Sequence, residues 1–122
     1  FNSEDLFVKA IDGNLNTADY TEMAKRYIEE HYMEVIQLRD LALVAHISPT
    51  YYSIRFKKDT GMSFTEYLIW FRLNKAKKLL KKGKISCKEI GMSVGYTDYV
   101  QFTKIFKKYI GVSPEIYRKQ NK

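Results

Sequence analysis

One sequence pattern occurs twice in this chain, and this repeat constrains the fold more than any other feature. A Phe-Lys-Lys-x-x-Gly-x-Ser motif begins at Phe56 and again, fifty residues later, at Phe106. The segments before the two copies also match, because residues 41–48 parallel residues 90–97. A repeat of this length is typical of one small structural module used twice. We therefore predict two helical modules, each with a small turn and a pair of lysines.

The length of the chain suits one globular unit or two small units that share a face. It has 122 residues, and its hydrophobic content of 45% is sufficient to form a core. No apolar run reaches the roughly 18 residues that a membrane span needs, and no signal peptide is visible. The chain begins with Phe rather than Met, so we expect a fragment of a longer protein.

The single cysteine, Cys87, cannot form an internal disulfide. We interpret it as a small, partly buried apolar side chain. A lone thiol is typical of a reducing compartment, so we predict a cytoplasmic protein.

The charge of the chain is unevenly distributed. Residues 1–35 carry eight acidic and three basic side chains, a net charge of −5, whereas residues 36–122 carry eighteen basic and six acidic side chains, a net charge of +12. A strongly basic domain attracts polyanions and speeds their encounter. The charge alone fits either a nucleic-acid-binding protein or a basic, solvated surface.

Capping residues and hydrophobic spacing predict an all-α fold. Residues 1–16 contain turn-forming residues and little apolar periodicity, so we interpret them as a linker or as the end of a removed N-terminal domain. Thr17, Ser48 and Ser63 have the chemistry of N-terminal helix caps, and Gly61 suits a left-handed position after a helix. The predicted helices cover approximately residues 17–32, 37–45, 49–58, 63–80, 87–93, 98–109 and 114–119.

In each module a short helix, a turn of small residues and a second, capped helix follow one another. This order is typical of the helix-turn-helix, in which the second helix enters the major groove of DNA. Tyr52 and Phe56 are four residues apart, as are Phe102 and Phe106, so we expect these rings to face inward. The opposite faces and their flanking tyrosines provide the candidate DNA-binding residues. These are Thr50, Tyr51, Ser53, Ile54, Lys57 and Lys58 in the first module and Tyr99, Val100, Thr103, Lys104, Lys107 and Lys108 in the second.

These residue types have the chemistry that a major groove requires. Lysine donates to guanine O6 and N7, hydroxyl groups donate or accept, and apolar side chains contact the thymine methyl group. The lysine pairs at residues 57–58 and 107–108 are expected to contact phosphates, which position a protein without reading sequence. Taken singly, each of these residues also fits the solvated face of an ordinary helical hairpin.

From about residue 37 to residue 118, the chain resembles the DNA-binding domain of the AraC/XylS family of bacterial transcription regulators. The first module contains Leu-Ala from residue 41, Ile-Ser-Pro-x-Tyr from residue 47 and the Phe-Lys-Lys motif. The linking segment contains Tyr-Leu-x-x-x-Arg-Leu-x-x-Ala-x-x-Leu-Leu from residue 67. The second module contains Glu-Ile-x-x-x-Val-Gly-Tyr-x-Asp from residue 89, followed by the second Phe-Lys-Lys motif, Gly-x-Ser-Pro and Tyr-Arg.

The sequence departs from the family pattern at three positions. Ile54 and Lys104 occupy equivalent positions at which the family often has Arg, so we expect weaker base contact by the first module at Ile54. Gly91 stands where Ala is usual, which predicts a helix looser by about 1 kcal/mol.

The resemblance implies two helix-turn-helix subdomains joined by a linking helix, with recognition helices in successive major grooves on one face of the DNA. We predict a DNA-binding domain over residues 17–122. Its first subdomain covers about 17–62, its linking helix about 63–80 and its second subdomain about 84–120. Family members commonly carry a sensor or receiver domain, so we expect such an N-terminal domain of the same protein outside this chain. The resemblance implies transcription activation, with RNA polymerase as a further possible partner, and repression is an open alternative.

Other functions fit the sequence less well. The chain has two histidines, His31 and His46, no Cys-His cluster at metal spacing and no glycine-rich phosphate loop, so we predict no enzyme, metal or cofactor. His46 lies in a predicted turn and is expected to have a structural or backbone-capping role. A module that binds RNA or a protein helix, and a stand-alone regulator without a sensor, remain open alternatives.

Overall fold

A computed structural model describes residues 3–121 of the chain, and every regular element within them is an α-helix. The helices are α1 (Ser3–Ile11), α2 (Thr17–His31), α3 (Leu38–Val44), α4 (Pro49–Thr60), α5 (Phe64–Lys82), α6 (Cys87–Ser93), α7 (Tyr99–Ile110) and α8 (Pro114–Gln120). The all-α prediction is confirmed. None of the described helices is both long enough and apolar enough to cross a membrane.

Helix α1 lies where the sequence predicted a linker. Leu6 and Ala10 are four residues apart, both fully buried, and α1 packs against α2 and α3. The turn residues that suggested a linker end this helix instead, because Gly13 adopts φ +73° and its amide donates to the carbonyl of Ala10 at 3.1 Å. Residues 3–11 thus form a helix where the sequence indicated turns and little apolar periodicity, and the interpretation of residues 1–16 as a linker or as the end of a removed N-terminal domain stays a prediction. Residues 1 and 2 of the predicted linker lie outside the described part of the chain.

Local capping chemistry sets most of the helix ends. The hydroxyl groups of Ser48 and Ser113 each accept a hydrogen bond from the backbone amide three residues later, at 3.0 and 3.3 Å. Gly61 ends α4 in the left-handed conformation, with φ +79°, as predicted. The cap of α2 is Asn16 rather than Thr17, because the Asn16 side chain accepts from the amide two residues later at 3.1 Å.

The contacts divide the chain into two compact units between residues 69 and 70, so α5 contributes residues to both. In the first unit α2 and α3 pack against α4. Tyr52 and Phe56 of α4 are fully buried, as predicted. The Tyr52 hydroxyl donates to the carbonyl of Tyr20 at 2.6 Å, and the Phe56 ring lies edge-on to the Tyr67 ring at 5.5 Å. These contacts fix the inner face of α4 and thereby the direction of its outer face.

In the second unit α7 packs between α6 and α8. Phe102 and Phe106 of α7 are fully buried, as predicted, and their ring centroids are 5.8 Å apart. The Phe106 ring also lies edge-on to Tyr117 of α8, at 5.6 Å. The inner face of α7 is therefore aromatic, like that of α4.

Arg118 of α8 stabilises the end of α5 within the second unit. Its guanidinium group donates to the carbonyls of Leu80 at 3.2 Å and Ile85 at 2.5 Å. The Leu80 carbonyl also accepts from the amide of Gly83 at 3.2 Å, and Ile85 lies in the segment after α5, so these charge-assisted bonds join α8 to the end of α5 and to the turn that follows it. The thiol of Cys87 is free and buried, and burial raises its pKa. This agrees with the interpretation of Cys87 as an apolar side chain.

Gly91 of α6 lies directly against the ring of Phe102. A Cβ atom at Gly91 would stand 2.7 Å from Cδ2 and 3.3 Å from Cβ of Phe102. The sequence predicted only a looser helix at this position, whereas the structure shows that the glycine lets α6 and α7 pack closely. The equivalent residue of the first unit, Ala42, is fully buried, so that unit accommodates the methyl group.

We expect Gly91→Ala to destabilise the chain by about 1 kcal/mol. Overpacking a core costs about 1–3 kcal/mol, and the better helix propensity of alanine returns up to about 1 kcal/mol. Urea unfolding followed by circular dichroism measures the change. The same substitution should be less harmful in a Phe102→Leu background. A gain in stability from Gly91→Ala alone, as helix propensity predicts, would contradict the packing explanation.

Candidate nucleic-acid interface

A left-handed residue shapes the turn before the second helix in both units. His46 adopts φ +59° and Gly95, at the equivalent position, φ +112°. The Nε2 atom of His46 donates to the carbonyl of Ile11 at 3.0 Å and so caps the end of α1. This confirms the structural role predicted for His46. Because α3 packs against α4 and α6 against α7, each unit contains a helix-turn-helix.

In the second unit Arg72 of α5 covers this turn. Its guanidinium carbon lies 5.0 Å from the centroid of the Tyr96 ring. A Cβ atom at Gly95 would stand 2.9 Å from the same guanidinium carbon. Gly95 therefore supplies both the left-handed backbone and the space for Arg72. The contact of Arg72 with Tyr96 fixes the chain just before α7.

Helix α4 exposes the face that the sequence predicted to contact DNA. The exposed residues are Thr50, Ser53, Ile54, Lys57 and Lys58. Ile54 is 64% exposed, although its side chain is large and apolar. The flanking Tyr51 is 41% exposed, and its ring lies edge-on to the Tyr20 ring at 6.2 Å. We call the outward positions 50, 53, 54 and 57 the reading face of α4.

Helix α7 exposes most of its predicted face, with two differences. Val100 (59%), Lys104, Lys107 and Lys108 are exposed. Thr103, however, is half-buried, and its hydroxyl oxygen is shielded from solvent, so the structure does not offer this hydroxyl group to a ligand. The Tyr99 hydroxyl donates to the carboxylate of Glu115, and burial together with this bond raises the pKa of Tyr99 to about 12. The reading face of α7 therefore comprises the outward positions 100, 104 and 107.

The recognition helices carry few acidic side chains. Asp59 is the acidic residue of α4, and α7 has none. The hydroxyl of Thr21 donates to Asp59 at 2.6 Å and Arg55 donates to the same oxygen at 3.0 Å. These bonds lower the pKa of Asp59 and hold its carboxylate towards α2. The lysines of both reading faces thus have no carboxylate beside them on those faces.

Arg39 and Lys88 are exposed basic residues that the sequence analysis did not single out. Each is the second residue of the first helix of its helix-turn-helix, α3 or α6. Arg39 lines an open cleft beside α4 together with Ser53 and Lys57. Extending the matched segments by two residues towards the N-terminus pairs Arg39 with Lys88 and would have identified both.

The remaining histidine, His31, lies beside an aromatic ring and a carboxylate. His31 stacks on the Tyr27 ring at 4.5 Å, and its Nδ1 lies 2.5 Å from the carboxylate of Glu34. Within residues 3–121, no group of three or more histidine, cysteine, aspartate or glutamate side chains is arranged to hold a metal ion.

Comparisons with known proteins agree with this architecture. A helix-turn-helix domain model matches residues 41–120. The transcriptional activator Btr of Bacillus subtilis is 42% identical over 101 residues, which cover 83% of this chain and 19% of Btr. The C-terminal domain of AraT, a response regulator from Geobacillus stearothermophilus, superposes with a TM-score of 0.78 at 34% identity, covering 83% of this chain and 84% of that one.

A third similar structure is the DNA-binding domain of the global transcriptional factor AdpA in complex with a target DNA. It has a TM-score of 0.71 and 26% identity, and the match covers 85% of this chain and 90% of that one. The chain spans less than half the length of the curated relatives it matches. The family model, the relatives and the two helix-turn-helix units lead to one conclusion, that this chain belongs to the AraC/XylS-type family of helix-turn-helix transcription regulators.

Proposed function

We propose that this chain binds double-stranded DNA sequence-specifically, with α4 and α7 in successive major grooves, and regulates bacterial transcription as an activator. The observation that carries the proposal is the repeated outer face of the two second helices. Lysine pairs at residues 57–58 and 107–108 are exposed at equivalent positions of both helices. Two readers in one chain need no palindromic site, so we expect a monomer to bind about 20 base pairs, two helical turns of DNA.

The side chains divide into two groups in this proposal. Lys104, with Thr50, Ser53, Ile54 and Val100, contacts base edges, because these residues lie in the N-terminal half of each reading face, whereas the lysine pairs lie in the last turn of each helix. The lysine pairs contact phosphates, as do Arg39 and Lys88 at the start of the first helices. In a helix-turn-helix the first helix crosses the DNA backbone, which places its N-terminal basic residues beside phosphates.

The proposal extends to a longer protein, of which we propose that this chain is the C-terminal part. Btr is named an activator, which supports activation, and contact with RNA polymerase is the simplest means of achieving it. The response regulator AraT carries a similar domain at its C-terminus, which supports a sensor or receiver domain at the N-terminal side of this one. We place the protein in the bacterial cytoplasm, where promoter DNA and RNA polymerase are found, and assign it no catalytic activity, metal or cofactor.

Single-stranded RNA is the principal alternative ligand. Proteins that read RNA sequence display aromatic rings on an open surface, where bases stack. Here the four rings at the centres of α4 and α7 are fully buried. The arrangement therefore favours duplex DNA.

Selection from a random duplex pool, followed by hydroxyl-radical footprinting, tests the proposed function. We expect the 122-residue chain to enrich one asymmetric sequence. Protection should fall on two segments about one helical turn, or 10 base pairs, apart. Competition with duplex and single-stranded RNA of the same sequence provides the control.

Three results would contradict the proposal. A footprint confined to a single groove segment would exclude recognition by both α4 and α7. Equal competition by RNA, or no enrichment of any duplex, would exclude sequence-specific DNA binding.

A further inference from the structure

The two reading faces differ at two equivalent positions where polar and apolar side chains are exchanged. At the first pair, α4 has Thr50 and α7 has Val100. At the second pair, one helical turn later, α4 has Ile54 and α7 has Lys104. Each helix therefore exposes one large apolar residue on its reading face, 64% exposed for Ile54 and 59% for Val100. The apolar residue thus belongs to the second pair in α4 (Ile54) and to the first pair in α7 (Val100).

Core packing does not explain these two exposed side chains. The inner faces of both helices are occupied by aromatic rings, and Ile54 and Val100 point away from them. Ile54 lines the cleft beside α4 with Pro49 and Phe64, so its surroundings are partly apolar. An aliphatic side chain here gains free energy only when a ligand covers it with another apolar group.

The major-groove edge of DNA offers one such group. The 5-methyl group of thymine is the apolar feature of that edge, whereas the other bases present hydrogen-bonding atoms. An aliphatic side chain leaves those atoms without a partner and so disfavours the other bases. We infer that Ile54 of α4 and Val100 of α7 each recognise a thymine methyl group, an inference that rests on the proposed binding of duplex DNA.

The exchange also predicts where the thymines lie. Four residues of an α-helix rise about 6 Å, so the two positions reach different parts of a half-site. The thymine contact should therefore lie at different base pairs in the half-site of α4 and in that of α7. Lys104 of α7 is equivalent to Ile54 of α4, so we expect a guanine contact in the α7 half-site where the α4 half-site has its thymine contact.

Replacing thymine by deoxyuridine tests this inference directly, because it removes the methyl group and leaves every hydrogen-bonding atom in place. Each thymine of the selected duplex is replaced in turn, and the affinity is measured by fluorescence anisotropy at one salt concentration. Loss of one buried methyl group corresponds to an affinity loss of about fourfold. We expect this loss at one thymine in each half-site for the wild-type chain.

The variants Ile54→Ala and Val100→Ala assign each thymine to its side chain. Ile54→Ala should bind the parent duplex more weakly and should show no further loss when its own thymine is replaced by deoxyuridine. It should retain the wild-type loss at the thymine that depends on Val100, and Val100→Ala should show the reverse pattern. Both side chains are exposed, so the variants are expected to fold, which circular dichroism verifies. Ile54→Lys should shift the selected base at this position from thymine towards guanine.

The outcomes separate this inference from the proposed function. Strong binding to a selected duplex, with equal deoxyuridine effects in wild type and Ile54→Ala, would overturn thymine recognition and leave duplex binding intact. If Ile54→Ala and Val100→Ala both abolished the deoxyuridine effect at the same thymine, the assignment of one contact to each helix would be wrong. Failure to select any duplex would remove the proposed function together with this inference.

Discussion

Phe106→Ala is expected to lower the free energy of unfolding by about 3–5 kcal/mol, the range for large aromatic truncations in protein cores. Phe106 is fully buried, and its ring contacts Phe102 within α7 and Tyr117 of α8. The substitution removes apolar area and leaves a cavity between these rings. Since small domains are stable by only about 5–15 kcal/mol, the variant should be marginally folded.

Urea unfolding measured by circular dichroism, with hydrogen exchange of the α7 amides, provides the test. Tyr109→Ala is a matched control, because Tyr109 is an aromatic residue of the same helix that is 46% exposed. It contacts Lys108, whose ammonium lies 5.4 Å from the ring centroid, so its removal should cost less than about 1 kcal/mol. Equal losses for both variants would contradict the assignment of the inner face of α7.

Simultaneous replacement of Lys57, Lys58, Lys107 and Lys108 by alanine is expected to weaken binding to selected and random duplexes by the same factor. Each phosphate contact contributes about 0.9 to the slope of log K against log salt concentration, so the slope should become shallower by about 3.5. The loss should be largest at low salt, where counterion release contributes most. Affinity measurements from low to physiological salt determine the slope for each duplex.

Lys104→Ala is the contrasting variant for this experiment. Lys104 lies on the reading face of α7, so its loss should weaken binding to the selected duplex by about 1–3 kcal/mol and relax the base preference at one position. Random duplexes should be affected much less. If the variant with four lysines replaced and the Lys104→Ala variant had the same effect on both kinds of duplex, the division into phosphate-contacting and base-contacting lysines would be wrong.

Local chemistry explains why the repeated part of the chain could be predicted from sequence. Ser48 and Gly61 delimit α4 through a hydrogen bond and a left-handed backbone that depend on a few neighbouring residues. Tyr52 and Phe56, four residues apart, identify the inner face of α4 without any knowledge of the partner helices. These features recur in α7 and predicted both second helices and their outer faces.

The features that the sequence analysis missed depend on contacts between distant residues. Among the α1 residues whose burial is described, Leu6 and Ala10 are the fully buried ones, a pattern too short for a periodicity argument, and the helix is held by packing on α2 and α3. The close contact of Gly91 with Phe102 depends on how two helices cross. The shielding of the Thr103 hydroxyl likewise depends on its neighbours in the folded unit, whereas residue type alone suggested an available donor.

The different inner faces of α4 and α7 limit how this domain can be re-engineered. Tyr52 needs the carbonyl of Tyr20 for its hydroxyl group, whereas Phe102 packs against the bare backbone of Gly91. Transplanting the whole of α4 into the place of α7 would thus bring a phenol into a site built for a phenyl ring. Hybrid regulators for synthetic promoters should exchange only outward side chains, such as those at positions 54 and 104, and keep each helix in its own scaffold.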